Sequence, residues 1–249
     1  MAHVLIPLPH ADFDPTESAV PWQALVTAGH RVSFATPDGA PGAADPIMCT
    51  GKGLGPLAPL LMADANGRSA YAAMLQSPAF QTPLRYADLQ SSGFDALLLP
   101  GGHAPGMRVY LESSALQDLV VEFFAERKPV AAICHGVLLA ARSRGADGRS
   151  VLYGRKTTAL TKTLEFSGWA LTCLWMGRYY RTYPQILQDE VRGVLASPSD
   201  FIAGPAATTR DGPDHLAPGF CVQDGNYLSA RWPGDAHRFA AEFVRMLAV

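Results

Sequence analysis

Val130-Ala131-Ala132-Ile133-Cys134-His135-Gly136, continued by Val137-Leu138-Leu139-Ala140-Ala141, is an apolar run of strand length that breaks into a helical one with a thiol at the break. Ala132 and Gly136 lie two residues before and two after Cys134. Their small size leaves the steric room that a sharp strand-to-helix turn demands, the restriction that a hydrolase nucleophile elbow also obeys. On such a turn Cys134 points out over the sheet, and the helix N-terminus beside it favours the thiolate, the reactive form. A buried structural cysteine is the alternative that the same residues allow.

Outward from this turn, strand-like and helix-like segments alternate. Residues 3–9 read as a first buried strand, 14–28 as a helix presenting Val20, Trp22, Leu25 and Val26, and 31–36 as a second strand, an order that implies a parallel pair. Residues 94–100 read as a strand ending at Gly101-Gly102, 113–127 as an amphipathic helix, and 129–133 as the strand leading into Cys134. Beyond it come a helix to residue 144, a short strand at 156–161 and a helix at 184–195. Strands at 220–223 and 227–231, turned by Asp224-Gly225-Asn226, and a helix at 235–247 follow. Gly and Pro recur so often in residues 37–69 that this stretch reads as a long irregular loop with at most a short helix, of the kind that roofs an active site. The expectation is one α/β domain over 1–249, flavodoxin-like and doubly wound. It has a mostly parallel sheet, helices on both faces and a nucleophile elbow, and ligands bind beyond the carboxyl ends of its strands.

A formal charge of −2 without any basic cluster argues against nucleic acid or an anionic membrane as an electrostatic partner and favours a small or neutral substrate. No apolar run approaches the length that crosses a bilayer. Pro7 interrupts the first apolar run too early for a signal peptide, and Cys49, Cys134, Cys173 and Cys221 show no C-x-x-C spacing, so the expected setting is reducing and cytoplasmic.

Candidate chemical groups fall at the predicted strand ends. Gly101-Gly102 lets the backbone approach a ligand and aim an N–H at a developing oxyanion, with the His135 N–H as second donor; a plain turn is the alternative. Asp14-Pro15-Thr16-Glu17 reads as a capping box with Glu17 at N3. Its other reading is a carboxyl beside the thiol, kept protonated by burial and a neighbouring anion, able to donate to sulfur and shuttle protons. His135 is a general base or a packing residue, with Glu165 or a nearby acid to orient it. His10, Asp12 and His103 lie near strand ends without a ligand spacing, so no metal is expected. The aromatic stretch containing Trp169, Trp175, Tyr179, Tyr180 and Tyr183 forms a pocket wall or lid, or ordinary packing.

Leu97-Leu98-Leu99-Pro100-Gly101-Gly102-His103, Val130 to Gly136 as quoted above, and Gly154-Arg155-Lys156-Thr157-Thr158-Ala159 together resemble the PfpI-like, class I glutamine amidotransferase-like superfamily, over nearly the whole chain. The histidine after the double glycine, the Asp-x-x-Glu helix start and the tail Asp224-Gly225-Asn226-Tyr227-Leu228-Ser229-Ala230-Arg231 are most similar to its glyoxalase III and holding-chaperone branch. The resemblance implies that Cys134 is the nucleophile, His135 its neighbouring histidine, Glu17 the protonated glutamate, Gly102 the backbone oxyanion donor and Glu165 the acidic third member. His103, Trp169 and Trp175 are pocket candidates, with 37–69 and an insertion at 166–184 covering the site. It further implies an enzyme without cofactor or metal that acts on a small reactive carbonyl, converting a 2-oxoaldehyde such as methylglyoxal to a 2-hydroxy acid, and a homodimer. Other readings of the same cysteine are a hydrolase or hydratase of an amide, ester or isonitrile, and a stress-responsive holding chaperone, deglycase or redox sensor. Val137, where relatives usually carry proline, and the segment 169–184 depart from the common pattern and leave the substrate open.

Overall fold

The computed structural model describes residues 1–206 and 209–248. Among them seven strands form one sheet: β1 (His3–Pro7), β2 (Arg31–Thr36), β3 (Leu84–Arg85), β4 (Ala96–Leu99), β5 (Val130–Ile133), β6 (Cys221–Asp224) and β7 (Tyr227–Ala230). Their order is β3-β2-β1-β4-β5-β7-β6, every neighbouring pair being parallel except the β6–β7 hairpin. No residue of β4 or β5 reaches solvent, because helices flank the sheet; that is why these strands read as unbroken apolar runs rather than as alternating ones.

The principal helices are α1 (Pro15–Thr27), α2 (Ala65–Leu75), α3 (Ser114–Ala125), α4 (Gly136–Arg142), α5 (Lys162–Met176), α6 (Leu187–Arg192) and α7 (Ala236–Leu247). α1 packs against both α2 and α7, while α3 packs on α4 and β4. The chain adds strands to one side of β1 and then, from β4 onward, to the other. The crevice at the carboxyl ends of β1 and β4 is therefore the topological switch point, where open α/β sheets bind ligands. Among the described residues no helix is long and apolar enough to cross a membrane.

Several local expectations are corrected. Residues 156–161 form no strand. Only Thr157 bridges, to Phe201, because the Lys156 N–H is taken by the Asp224 carboxylate and the Thr158 N–H by the Ser229 hydroxyl. Residues 37–69 are more ordered than a loop. Ala43–Ala44 pairs with Ala11–Phe13, helical turns span Pro46–Thr50 and Ala58–Leu61, and α2 begins at Ala65. Asp45 and Asp64 cap two of these segments through their carboxylates, and Pro46 serves as a first helical residue rather than a breaker. The segment 166–184 starts inside α5, whose N-terminus Thr161 caps.

Candidate active site

The turn after β5 is strained in a way that only its surroundings maintain. Cys134 has φ +56, a left-handed conformation that costs a non-glycine residue about 1 kcal/mol, and its N–H makes the last sheet bond, to Ala230 O at 3.0 Å. A Cβ on Gly136 would overlap the Leu99 carbonyl, so α4 can begin against the end of β4 only with glycine there. Val137 donates its N–H to Cys134 O at 3.3 Å, a bond that proline lacks the hydrogen to make.

Glu17 stands at the start of α1. Asp14 accepts from the Thr16 and Glu17 N–H groups at 2.8 and 3.0 Å, as an N-cap should, but the return half of a capping box is absent. The Asp14 N–H bonds instead to Gly101 O at 2.9 Å, and the Glu17 carboxyl is free to turn inward. It is fully buried, and its Oε2 occupies the space that a side chain on Gly101 would need, 2.5 Å from that missing Cβ. Neither carboxyl oxygen has an aligned hydrogen bond. Burial, and then the charge of Asp14, hold Glu17 well above the usual carboxylate range; the nearby Cys134 thiol and Gly101 amide pull weakly the other way. Burial likewise raises Asp14, to about 6. The Cys134 thiol is pushed up by burial, then by the carboxyls of Glu17 and Asp14, with only the His135 amide among the nearby groups opposing. The thiolate expected from the helix N-terminus is thus disfavoured at rest. A proton on Glu17 removes the repulsion and makes that carboxyl a donor toward sulfur.

The ring of His135 does reach the thiol. Its Nδ1 lies 3.5 Å from Cys134 Sγ, and its Nε2 lies 3.0 Å from Thr182 Oγ1. The Thr182 hydroxyl donates its one proton to His103 O, and the Thr182 carbonyl is clamped by Arg108. Thr182 can therefore only accept from His135, which places the proton on Nε2 and leaves Nδ1 as an acceptor facing sulfur. Burial keeps His135 neutral, lowering it to about 3.

Glu165 does not orient this histidine. On the first turn of α5 it accepts from the Leu187 N–H at 2.9 Å and faces Arg181 Nε at 3.2 Å, and no hydrogen bond joins it to His135. A threonine occupies the place expected of an acid. Thr182 carries no sequence signal, since its relation to His135 spans 47 residues.

Cys134, Glu17, Gly102 and His103 line one cavity of about 350 Å³. His103 is half-buried, stacks on Tyr180 with centroids 4.4 Å apart, and leaves its Nε2 without a partner. Among the described residues no backbone carbonyl accepts from the N–H of Gly102 or of His135, and the His135 N–H lies beside the Cys134 sulfur. Trp169 and Trp175 do not line the cavity. Trp169 packs on Phe166, and Trp175 donates to Gly53 O at 2.8 Å. The aromatic walls are Tyr180 and Trp232; the latter follows β7, so the rule that ligands sit beyond strand ends pointed to it. His10 faces Asp38, and Asp12 accepts from the Gly106 N–H, so the three residues weighed as metal ligands do not converge. Among the described residues no group of three or more His, Cys, Asp or Glu is placed to hold a metal.

Comparison with known proteins agrees with this fold. Deglycase PfpI of Pyrococcus furiosus is 31% identical over 166 residues, 66% of this chain and 69% of that protein. A deglycase of Pyrococcus abyssi is 30% identical over the same length. The crystal structure of glyoxalase III from Candida albicans shares the fold, with a TM-score of 0.67 at 18% identity over 98% of this chain and 96% of that one. Residues 8–205, which run from the end of β1 through the elbow and α5, match the profile of the family described as ThiJ/PfpI family-like, and the chain belongs to that family.

Proposed function

We propose that this chain is a cofactor-independent cysteine enzyme that converts a 2-oxoaldehyde to a 2-hydroxy acid, the reaction type of a glyoxalase III. The observation that carries the reading is the convergence on Cys134 Sγ of a buried, protonated carboxyl and a neutral imidazole whose free nitrogen faces the sulfur. In the first step Sγ bonds to the aldehyde carbon. One Glu17 oxygen takes the thiol proton as the other gives its proton to the aldehyde oxygen, so no net charge develops in the buried site. The Gly102 and His135 amides hold that oxygen. Next, Nδ1 of His135 removes the C1 hydrogen while Glu17 protonates the C2 oxygen, giving an enediol. Return of the imidazolium proton to C2, and of the C1 hydroxyl proton to Glu17, leaves a 2-hydroxyacyl thioester. Water then adds, the C–S bond breaks, sulfur regains a proton, and the acid departs.

A second reading is a deglycase, favoured by the names of the Pyrococcus relatives at 30 and 31% identity. It uses the same thiol on the carbon of a glycated amine or guanidine. Purified protein given methylglyoxal in one arm and methylglyoxal-treated N-acetylarginine in the other separates them. Lactate formed directly from free methylglyoxal, faster than from the adduct, supports the first reading; release from the adduct alone supports the second.

A further inference from the structure

We propose that the substrate carries an apolar chain or ring, which runs from Cys134 outward between the 58–61 segment and helix α5. This rests on the reading of Cys134 as the nucleophile toward 2-oxoaldehydes and narrows its substrate class. The reacting groups gather at the Cys134 end of the cavity, yet its volume of about 350 Å³ falls in the range of sites that enclose drug-sized ligands. A three-carbon dicarbonyl occupies a minor part of it. The rest is walled by Met48, Leu60, Leu61, Leu164 and Leu171.

Two of these wall residues also face outward. Leu60 is 59% exposed and Leu171 is 45% exposed, so they form the rim. On the same helix Leu174 and Trp175 are 93% and 52% exposed, side chains that core packing does not explain. The walls are tied in place rather than loose. Trp175 Nε1 on α5 donates to Gly53 O, and Arg210 Nη2 donates to Met62 O at 3.1 Å, bracketing the 58–61 segment. Of the charged groups at this end, Glu165 faces Arg181, and Arg210 donates from Nη2 to Met62 O and lies over Trp232 at 5.3 Å, while its Nη1 has no partner. The apolar side chains that wall this passage make an apolar tail the chemistry whose burial it favours.

The test reads one homologous series in two ways. With wild-type protein, kcat/KM is measured for 2-oxoaldehydes R–CO–CHO with R from methyl to octyl. The expected result is a rise of up to about fourfold per added methylene until the chain passes the rim, and a flattened series in Leu171→Asp and in Leu60→Asp. With Cys134→Ser protein, calorimetry measures binding of the matching 2-alkanones, which need no chemistry, and Kd should fall in the same increments. Rate and affinity that are both indifferent to chain length overturn the proposal. Rising ketone affinity without turnover of any oxoaldehyde upholds the apolar passage and overturns only the reaction.

Discussion

The Glu17 carboxyl owes its place to two neighbours. Gly101 leaves it room, and the Asp14 N–H, spent on Gly101 O, does not call it back to cap α1. Glu17→Gln keeps the shape but cannot relay a proton, so kcat should fall by about 10² to 10⁴ while the denaturation midpoint stays level or rises. Asp14 offers a pH test. Its folded value of about 6 stands above the 3.8 of an unfolded aspartate, so the fold favours its protonated form. The stability this group contributes is complete below about 4 and is lost as pH rises through about 6, a change on the order of 3 kcal/mol. Asp14→Asn retains the cap and removes the charge. Urea melts at pH 4 and pH 7 should differ by less in the variant than in the wild type; an equal difference contradicts the assignment. At this scale the sequence was legible in part. Cys134, His135 and Glu17 could be named because each sits at a strand end or beside one. Thr182 could not, because only the folded chain shows where its one hydroxyl proton goes.

Elements position these residues through contacts that tolerate little change. Gly136→Ala would drive a methyl into the Leu99 carbonyl at the junction of β4 and α4. Destabilisation of about 3 kcal/mol or more is expected in chemical denaturation, with loss of activity ahead of loss of fold. Helix α5 is anchored differently, by the buried Glu165 that joins its first turn to Arg181 and to the Leu187 N–H. Arg181→Ala leaves that carboxyl without its cation and should cost about 1–3 kcal/mol, with faster hydrogen exchange in α5 as the sign that the helix itself has loosened. Strands β1, β2, β4, β5 and β7 were readable from apolar runs because both sheet faces are covered. The ordering of 37–69 was not, since the prolines and aspartates that suggest a loop there act as helix starts. A strand at 156–161 failed for a related reason: side chains claim the backbone groups that a ladder would use.

Across the whole molecule, the reversal of strand order at β1 and β4 creates one crevice, and four strand ends deliver to it Asp14 and Glu17, Gly102 and His103, Cys134 with His135 against its sulfur, and Trp232. This convergence was predictable from the alternation of strands and helices. The segments 37–69 and 166–184 were expected to cover the site and both contribute to its walls, but which of their side chains do so was not legible, because it depends on how they pack on each other. The measurement that bears most directly on Cys134 as the reacting group is 2-hydroxy acid formation from a 2-oxoaldehyde by the wild type and by Cys134→Ala, with peptide mass mapping of the covalent adduct. The expected result is turnover in the wild type, a loss of at least about 1000-fold in the variant, and an adduct on Cys134 rather than on the more accessible Cys49, Cys173 or Cys221. Equal product formation by the two proteins would contradict it.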